Sequence, residues 1–222
     1  MPEERINRSL GGIVLSEEQR KIGIMGGAFD PIHYGHLLIA ENAADQYGLD
    51  EVFFMPTGQS PLKNKQHITD ASHRCAMIRL AIADNPRFHL STLEVEEQGI
   101  SYTYRTLELL KEQHREDQIF FILGGDSLRD FDSWRYPERI VKAASVLAAI
   151  RDDVDGRIFQ DKIAYLRERY GEEAVFPLRT SNYEVSSNQI RTRTEQGQTI
   201  RYMVPEPVRA YIQEHGLYKD RT

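Results

Sequence analysis

Short runs of apolar residues alternate along this chain with stretches whose apolar positions recur at helical spacing. Lys21–Met25 reads as a first strand ending in Gly26-Gly27. Gly35–Tyr47 reads as a helix, with Leu37, Leu38, Ala40, Ala43 and Ala44 on its apolar face and Gly48 as its stop. A second strand is expected over Glu51–Met55, closed by Pro56, and a helix over Ser72–Asp84. Phe88–Val95 has strand character, Tyr102–His114 helical period, and Gln118–Leu123 the look of a fully buried strand. The pattern continues with a helix at Pro137–Ala144, a strand at Ser145–Ile150, a helix over 157–170 and a strand at Ala174–Leu178. Two helices follow, near 187–196 and 205–215. Buried strands alternating with crossover helices predict an α/β fold: a Rossmann-like, doubly wound parallel sheet covered on both faces, with a small C-terminal helical part. The expected division is an N-terminal extension over 1–20 and one domain over 21–222. In such a sheet, ligands bind beyond the carboxyl ends of the strands.

Composition narrows the picture. The chain has 222 residues, with 28 Lys and Arg against 34 Asp and Glu, a formal charge of −6. An acidic balance argues against a non-specific nucleic-acid binder, which needs a basic field, but leaves room for a locally basic phosphate site. No stretch approaches the roughly 18 apolar residues of a membrane span, and residues 1–20 lack the apolar core of a signal peptide. Cys75 is the single cysteine, so neither an internal disulfide nor a cysteine metal cluster is available. A reduced, cytoplasmic setting is the expectation. Oligomeric state is left open, a homo-oligomer included.

Chemistry concentrates after the first strand, in Gly26-Gly27-Ala28-Phe29-Asp30-Pro31-Ile32-His33-Tyr34-Gly35-His36. Two glycines allow a tight turn and close approach of a phosphate to backbone N–H groups. The helix that follows offers free N–H groups and a partial positive charge at its start. His33 and His36, three residues apart, can face one ligand there, and Gly35 keeps the helix start open. The string is neither Gly-x-Gly-x-x-Gly nor a P-loop, which disfavours a dinucleotide oxidoreductase or a P-loop NTPase. A second anion site is suggested by Val185–Arg191. Ser186 and Gln189 have capping-box spacing, Val185 and Ile190 staple spacing, and Ser187 and Arg191 share the face of the helix that starts there. The same residues would equally serve an ordinary capped surface helix.

The eleven-residue string resembles the G-x-F-x-P-x-H-x-G-H signature of the nucleotidyltransferase superfamily. More narrowly, the chain from about Lys21 to Tyr218 is similar to the bacterial nicotinate-nucleotide adenylyltransferases. That resemblance implies an enzyme of NAD biosynthesis that transfers AMP from ATP to nicotinic acid mononucleotide, giving deamido-NAD and pyrophosphate by in-line displacement. Magnesium is implied as the cofactor, held mainly by substrate phosphates. The partners implied are ATP and nicotinic acid mononucleotide, with neither nucleic acid nor membrane.

The resemblance also assigns residues. His33 and His36 would be catalytic, contacting phosphoryl oxygens. Gly26, Gly27, Phe29, Lys63, Ser187 and Arg191 would join them in binding ATP. Asp30, Thr103, Asp126 and Trp134 would serve the acceptor, with the Trp134 indole stacked on the pyridine ring. Leu62 stands where the family commonly has His, Asn188 where it has Thr, Arg135 where Tyr often follows the Trp, and Arg151-Asp152-Asp153 where Arg-Pro-Gly is frequent. An adenylyl- or cytidylyltransferase acting on phosphopantetheine or nicotinamide mononucleotide is the nearest alternative. A nucleotide-binding regulatory module without turnover is a second.

Overall fold

A computed structural model describes residues 19–58, 68–97, 101–151, 156–181 and 183–219. The N-terminal extension up to residue 18 and Lys63, with Leu62, lie outside the described residues, as do Asp152 and Asp153.

Six strands form one parallel sheet: β1 (Lys21–Gly27), β2 (Glu51–Pro56), β3 (Phe88–Leu90), β4 (Gln118–Gly124), β5 (Ser145–Arg151) and β6 (Val175–Thr180). Their order is β3-β2-β1-β4-β5-β6. The chain winds outward one way from β1 and then returns to wind the other way from β4. A crevice opens where the direction switches, outside the carboxyl ends of β1 and β4.

Side chains alternate between the two faces of the sheet, as a period of two requires. On one face Val52, Phe54, Phe120, Ile122 and Leu147 pack against α1 (Tyr34–Tyr47), α2 (Ala71–Ile82), α8 (Ser187–Glu195) and α9 (Glu206–Glu214). On the other, Ile22, Ile24, Phe121, Leu123, Val146 and Ala148 meet α4 (Thr103–Gln113), α6 (Pro137–Ala143) and α7 (Gly156–Tyr170). Burying each large aliphatic or aromatic side chain is worth ~1.5–3 kcal/mol, so both layers are needed to hold a parallel sheet. The C-terminal helices belong to the first layer: Ile190, Val208, Ile212 and Tyr218 are all buried in it.

One expected element differs. The strand read over Phe88–Val95 stops at Leu90, and Leu93–Glu96 forms a one-turn helix, α3. The apolar residues Leu93 and Val95 mimic strand alternation, but among the described residues β3 is an edge strand paired with β2 alone. A short helix, α5 (Gly125–Arg129), also follows β4 directly, with Gly124 as its N-cap and Asp126 inside its first turn. Among the described residues, no helix is long and apolar enough to cross a membrane.

Candidate active site

The ends of β1, β2 and β4 open on a cavity of about 590 Å³, within the usual range for small-molecule and cofactor sites. Gly26, Gly27, His33, Gly35 and His36 line one end, and Thr103, Trp134 and Arg135 the other. The sheet thus brings together two groups of residues that are about a hundred positions apart in the chain.

His33 is the N-cap of α1, in extended conformation (φ −149°, ψ 170°), and His36 is its third helical residue. Their rings stack with centroids 3.7 Å apart. The backbone N–H of His33 donates to Nδ1 of His36 at 3.3 Å. In a neutral imidazole an accepting Nδ1 leaves the proton on Nε2, so His36 presents an N–H donor. His33 is 6% exposed. Its burial lowers its pKa to about 4, because the charged ring loses hydration. At neutral pH it is therefore an uncharged imidazole; its side chain faces the backbone N–H of His36 in a capping box, and among the described residues its buried Nδ1 makes no hydrogen bond of good geometry. A Cβ on Gly35 would sit 3.0 Å from Cε1 and Nδ1 of His33, so this glycine is what allows the ring to lie over the helix start.

The loop between β1 and α1 is held by donors from distant parts of the chain. Nη1 of Arg74 donates to the carbonyl of Ala28 at 2.9 Å, Nη1 of Arg191 to that of Asp30 at 2.8 Å, and Oγ of Ser187 to that of Pro31 at 2.9 Å. An irregular loop with buried carbonyls requires such partners. The Asp30 carboxylate accepts from the Tyr218 hydroxyl at 2.7 Å and from the Thr69 backbone N–H at 3.3 Å.

These contacts revise several expectations. Asp30 is 3% exposed and its carboxylate bonds Tyr218 and the Thr69 N–H, so it anchors the loop. Phe29 is 1% exposed. Its ring sets its edge against His36 at 4.9 Å and leans on Phe54, so it shapes the site from behind. The turn itself is made by Phe29, at φ 48°, whereas Gly26 and Gly27 complete β1 in register with Met55 and Pro56. Ser187 and Arg191 do share a face, but that face grips the loop instead of lining the cavity. Arg191 also donates to Oδ1 of Asn188 at 3.1 Å. Ser186 caps α8 as its spacing implies, accepting from the N–H of Gln189 at 3.2 Å.

At the far end, Trp134 is half-buried and packs on Phe121 and Phe131, with part of the indole left to the cavity. Thr103 begins α4; the N-cap is Tyr102, while the Ser101 hydroxyl turns to the Glu94 carbonyl at 3.4 Å. Asp126 falls in α5, and its side chain lies outside the described residues.

Three site residues escaped sequence reasoning. Glu94 lines the cavity as a buried carboxyl and accepts from Oγ1 of Thr106 at 2.9 Å. Burial pushes its pKa up, against the bond from Thr106. In the sequence it sits among Glu96 and Glu97 and reads as one charge on a solvated face. Gly58 approaches it so closely that a Cβ there would lie 2.1 Å from the Glu94 carbonyl oxygen. Arg74 was legible in principle, as an arginine on the same helical face as the buried Met77 and Ile78. Tyr218 carries no comparable signal.

Among the described residues, no three His, Cys, Asp or Glu side chains converge to hold a metal. The acidic wall residue, Glu94, is already engaged by Thr106.

A family profile described as cytidylyltransferase-like matches residues 24–193. A Lachnoclostridium phytofermentans protein named as a probable nicotinate-nucleotide adenylyltransferase is 44% identical over 199 residues, 90% of this chain and 99% of that one. A Roseiflexus protein of the same name is 42% identical over 200 residues, 89% of this chain and 98% of its own. In fold, the chain is similar to the Plasmodium falciparum nicotinic acid mononucleotide adenylyltransferase complexed with NaAD. That match has a TM-score of 0.73 and 21% identity, and covers 90% of this chain and 98% of the other. With a six-stranded sheet wound both ways from β1 and β4, paired histidines at the start of α1 and full-length relatives at this identity, the chain belongs to the cytidylyltransferase-like family, in its nicotinate-nucleotide adenylyltransferase branch.

Proposed function

We propose that this protein transfers AMP from ATP to nicotinic acid mononucleotide, forming deamido-NAD and releasing pyrophosphate in NAD biosynthesis. The observation that carries the reading is a single cavity with stacked His33 and His36 at one end and Trp134 with Thr103 at the other. One end suits phosphates and the other a flat ring, which is the shape of the two substrates laid phosphate to phosphate.

In the reaction, a phosphate oxygen of the acceptor attacks the α-phosphorus of ATP. The bond from that phosphorus to the bridging oxygen breaks, and its electron pair leaves with pyrophosphate. The nucleophile is already an anion, so no covalent intermediate and no strong base are required. Catalysis then rests on alignment and on stabilising charge at the α-phosphoryl group. We assign the N–H donor of His36 to an α-phosphoryl oxygen in the transition state. Neutral His33 beside it adds a second polar contact without a fixed charge. The start of α1 contributes the positive end of its dipole. Ser187 and Arg191 support this indirectly, by bonding the loop carbonyls, and Lys63 remains a candidate contact to the triphosphate.

We assign magnesium to the nucleotide, as the MgATP complex. The support is the preference of Mg²⁺ for phosphate and water oxygens. Bound there, it would neutralise phosphate charge.

The test is pyrophosphate release from MgATP, with nicotinic acid mononucleotide and nicotinamide mononucleotide compared side by side. A large kcat/KM preference for the acid is expected. Release with neither acceptor would overturn the reading, and turnover of phosphopantetheine alone would replace it.

A further inference from the structure

Building on that reading, we propose that the Arg135 side chain recognises the carboxylate on the acceptor ring and is a determinant of the preference for acid over amide. Arg135 is the one lysine or arginine among the described residues that line the cavity, and it directly follows Trp134. Its guanidinium carbon lies 4.7 Å from the ring centroid of Tyr102 and 5.4 Å from that of Tyr136. Stacking of this kind orients the plane of a guanidinium; the Tyr136 and Tyr102 side chains also interact with its N–H groups, which between them have donors enough for a planar anion as well. Both rings lean on Tyr104, with centroids 5.9 Å away for Tyr102 and 5.1 Å for Tyr136.

Charge in the same patch separates two arginines. Arg139, four residues on, donates to both oxygens of Glu108 at 2.7 and 2.5 Å. No carboxylate among the described residues pairs with Arg135, so its charge is available to a ligand. Glu94, the acidic residue on the cavity wall, accepts from Oγ1 of Thr106 at 2.9 Å and makes no ion pair with Arg135. A ligand with its phosphates at the start of α1 and its ring against Trp134 reaches Arg135 with the ring substituent, where an anion gains a charge-assisted bond and an amide does not.

The experiment compares steady-state kinetics with the two mononucleotides in the wild type, Arg135→Gln and Arg135→Lys. Arg135 is exposed, so the substitutions leave the core untouched. Arg135→Gln should raise KM for the acid about tenfold while moving KM for the amide less than about twofold. Arg135→Lys should retain part of the preference. In the wild type, KM for the acid should rise with ionic strength, and that dependence should weaken in Arg135→Gln. An acid-to-amide ratio unchanged in Arg135→Gln overturns the proposal. Equal losses with both acceptors overturn it too, since Arg135 would then hold the phosphate that both share. A wild type that releases no pyrophosphate with either acceptor instead overturns the adenylyltransferase reading itself.

Discussion

The hydroxyl of Tyr218 donates to Oδ1 of Asp30 at 2.7 Å, joining residues 188 positions apart. The last turn of the described chain thereby anchors the loop that leads to His33 and His36. Both partners are buried, so the bond is made where an unmet acceptor is expensive.

Tyr218→Phe removes that donor and nothing else of size. It should destabilise the protein by about 1–3 kcal/mol, the cost of leaving a buried polar group one bond short. Urea unfolding at neutral pH checks this, and an unchanged midpoint would mean that the Asp30 carboxylate finds its bonds elsewhere. We also expect a lower kcat, because the loop leads directly to His33 and His36.

His36→Ala should lower kcat by about 10²–10³, the usual cost of losing one preorganised donor at a developing anion. KM for ATP should change little by comparison, since His33 and the start of α1 stay in place. Single-turnover pyrophosphate release separates the two effects; a normal rate would remove His36 from the chemistry.

Gly35→Ala tests the same geometry without deleting a functional group. The added Cβ would meet the His33 ring at 3.0 Å, so the ring must move. Activity should fall with the unfolding midpoint nearly unchanged, because alanine is otherwise the better helix former. Parallel activity and thermal-melt measurements decide the case.

Burial of His33 sets a pH dependence of stability. Its folded pKa is lowered from 6.5 to about 4, so between those values the unfolded chain binds a proton that the folded one does not. Stability is therefore lost as pH falls through that window, by about 3 kcal/mol in all. His33→Gln should lose correspondingly less between pH 7 and pH 4. Equal slopes for the two proteins would show that the ring is not desolvated.

Reading from the sequence succeeded where local pattern and local chemistry coincide. Consecutive apolar residues mark β4 and β5 because both faces of a central parallel strand are buried. Glycine and helical period place the end of α1 at Gly48, whose φ of 62° suits glycine. Ser186 stands at the right spacing for the cap it makes. The residues of the histidine string could be picked out together because they act together over eleven positions.

What the linear pattern could not carry was the direction in which a side chain points once distant elements meet. Phe29, Asp30, Ser187 and Arg191 belong to recognisable motifs, yet all four turn toward the protein rather than the cavity. Their roles depend on packing among α2, α8 and the chain end. Glu94 is likewise an ordinary acid by composition and becomes a cavity carboxyl only when Thr106 and Gly58 close around it. The sequence by itself determined the parallel α/β architecture, the place of the histidine string between β1 and α1 and the family, because hydrophobic period and short-range spacing are local properties. Only the tertiary structure decided which polar groups face a ligand and which brace the loop behind it. That division follows from burial, which is a property of the assembled layers and of no single segment.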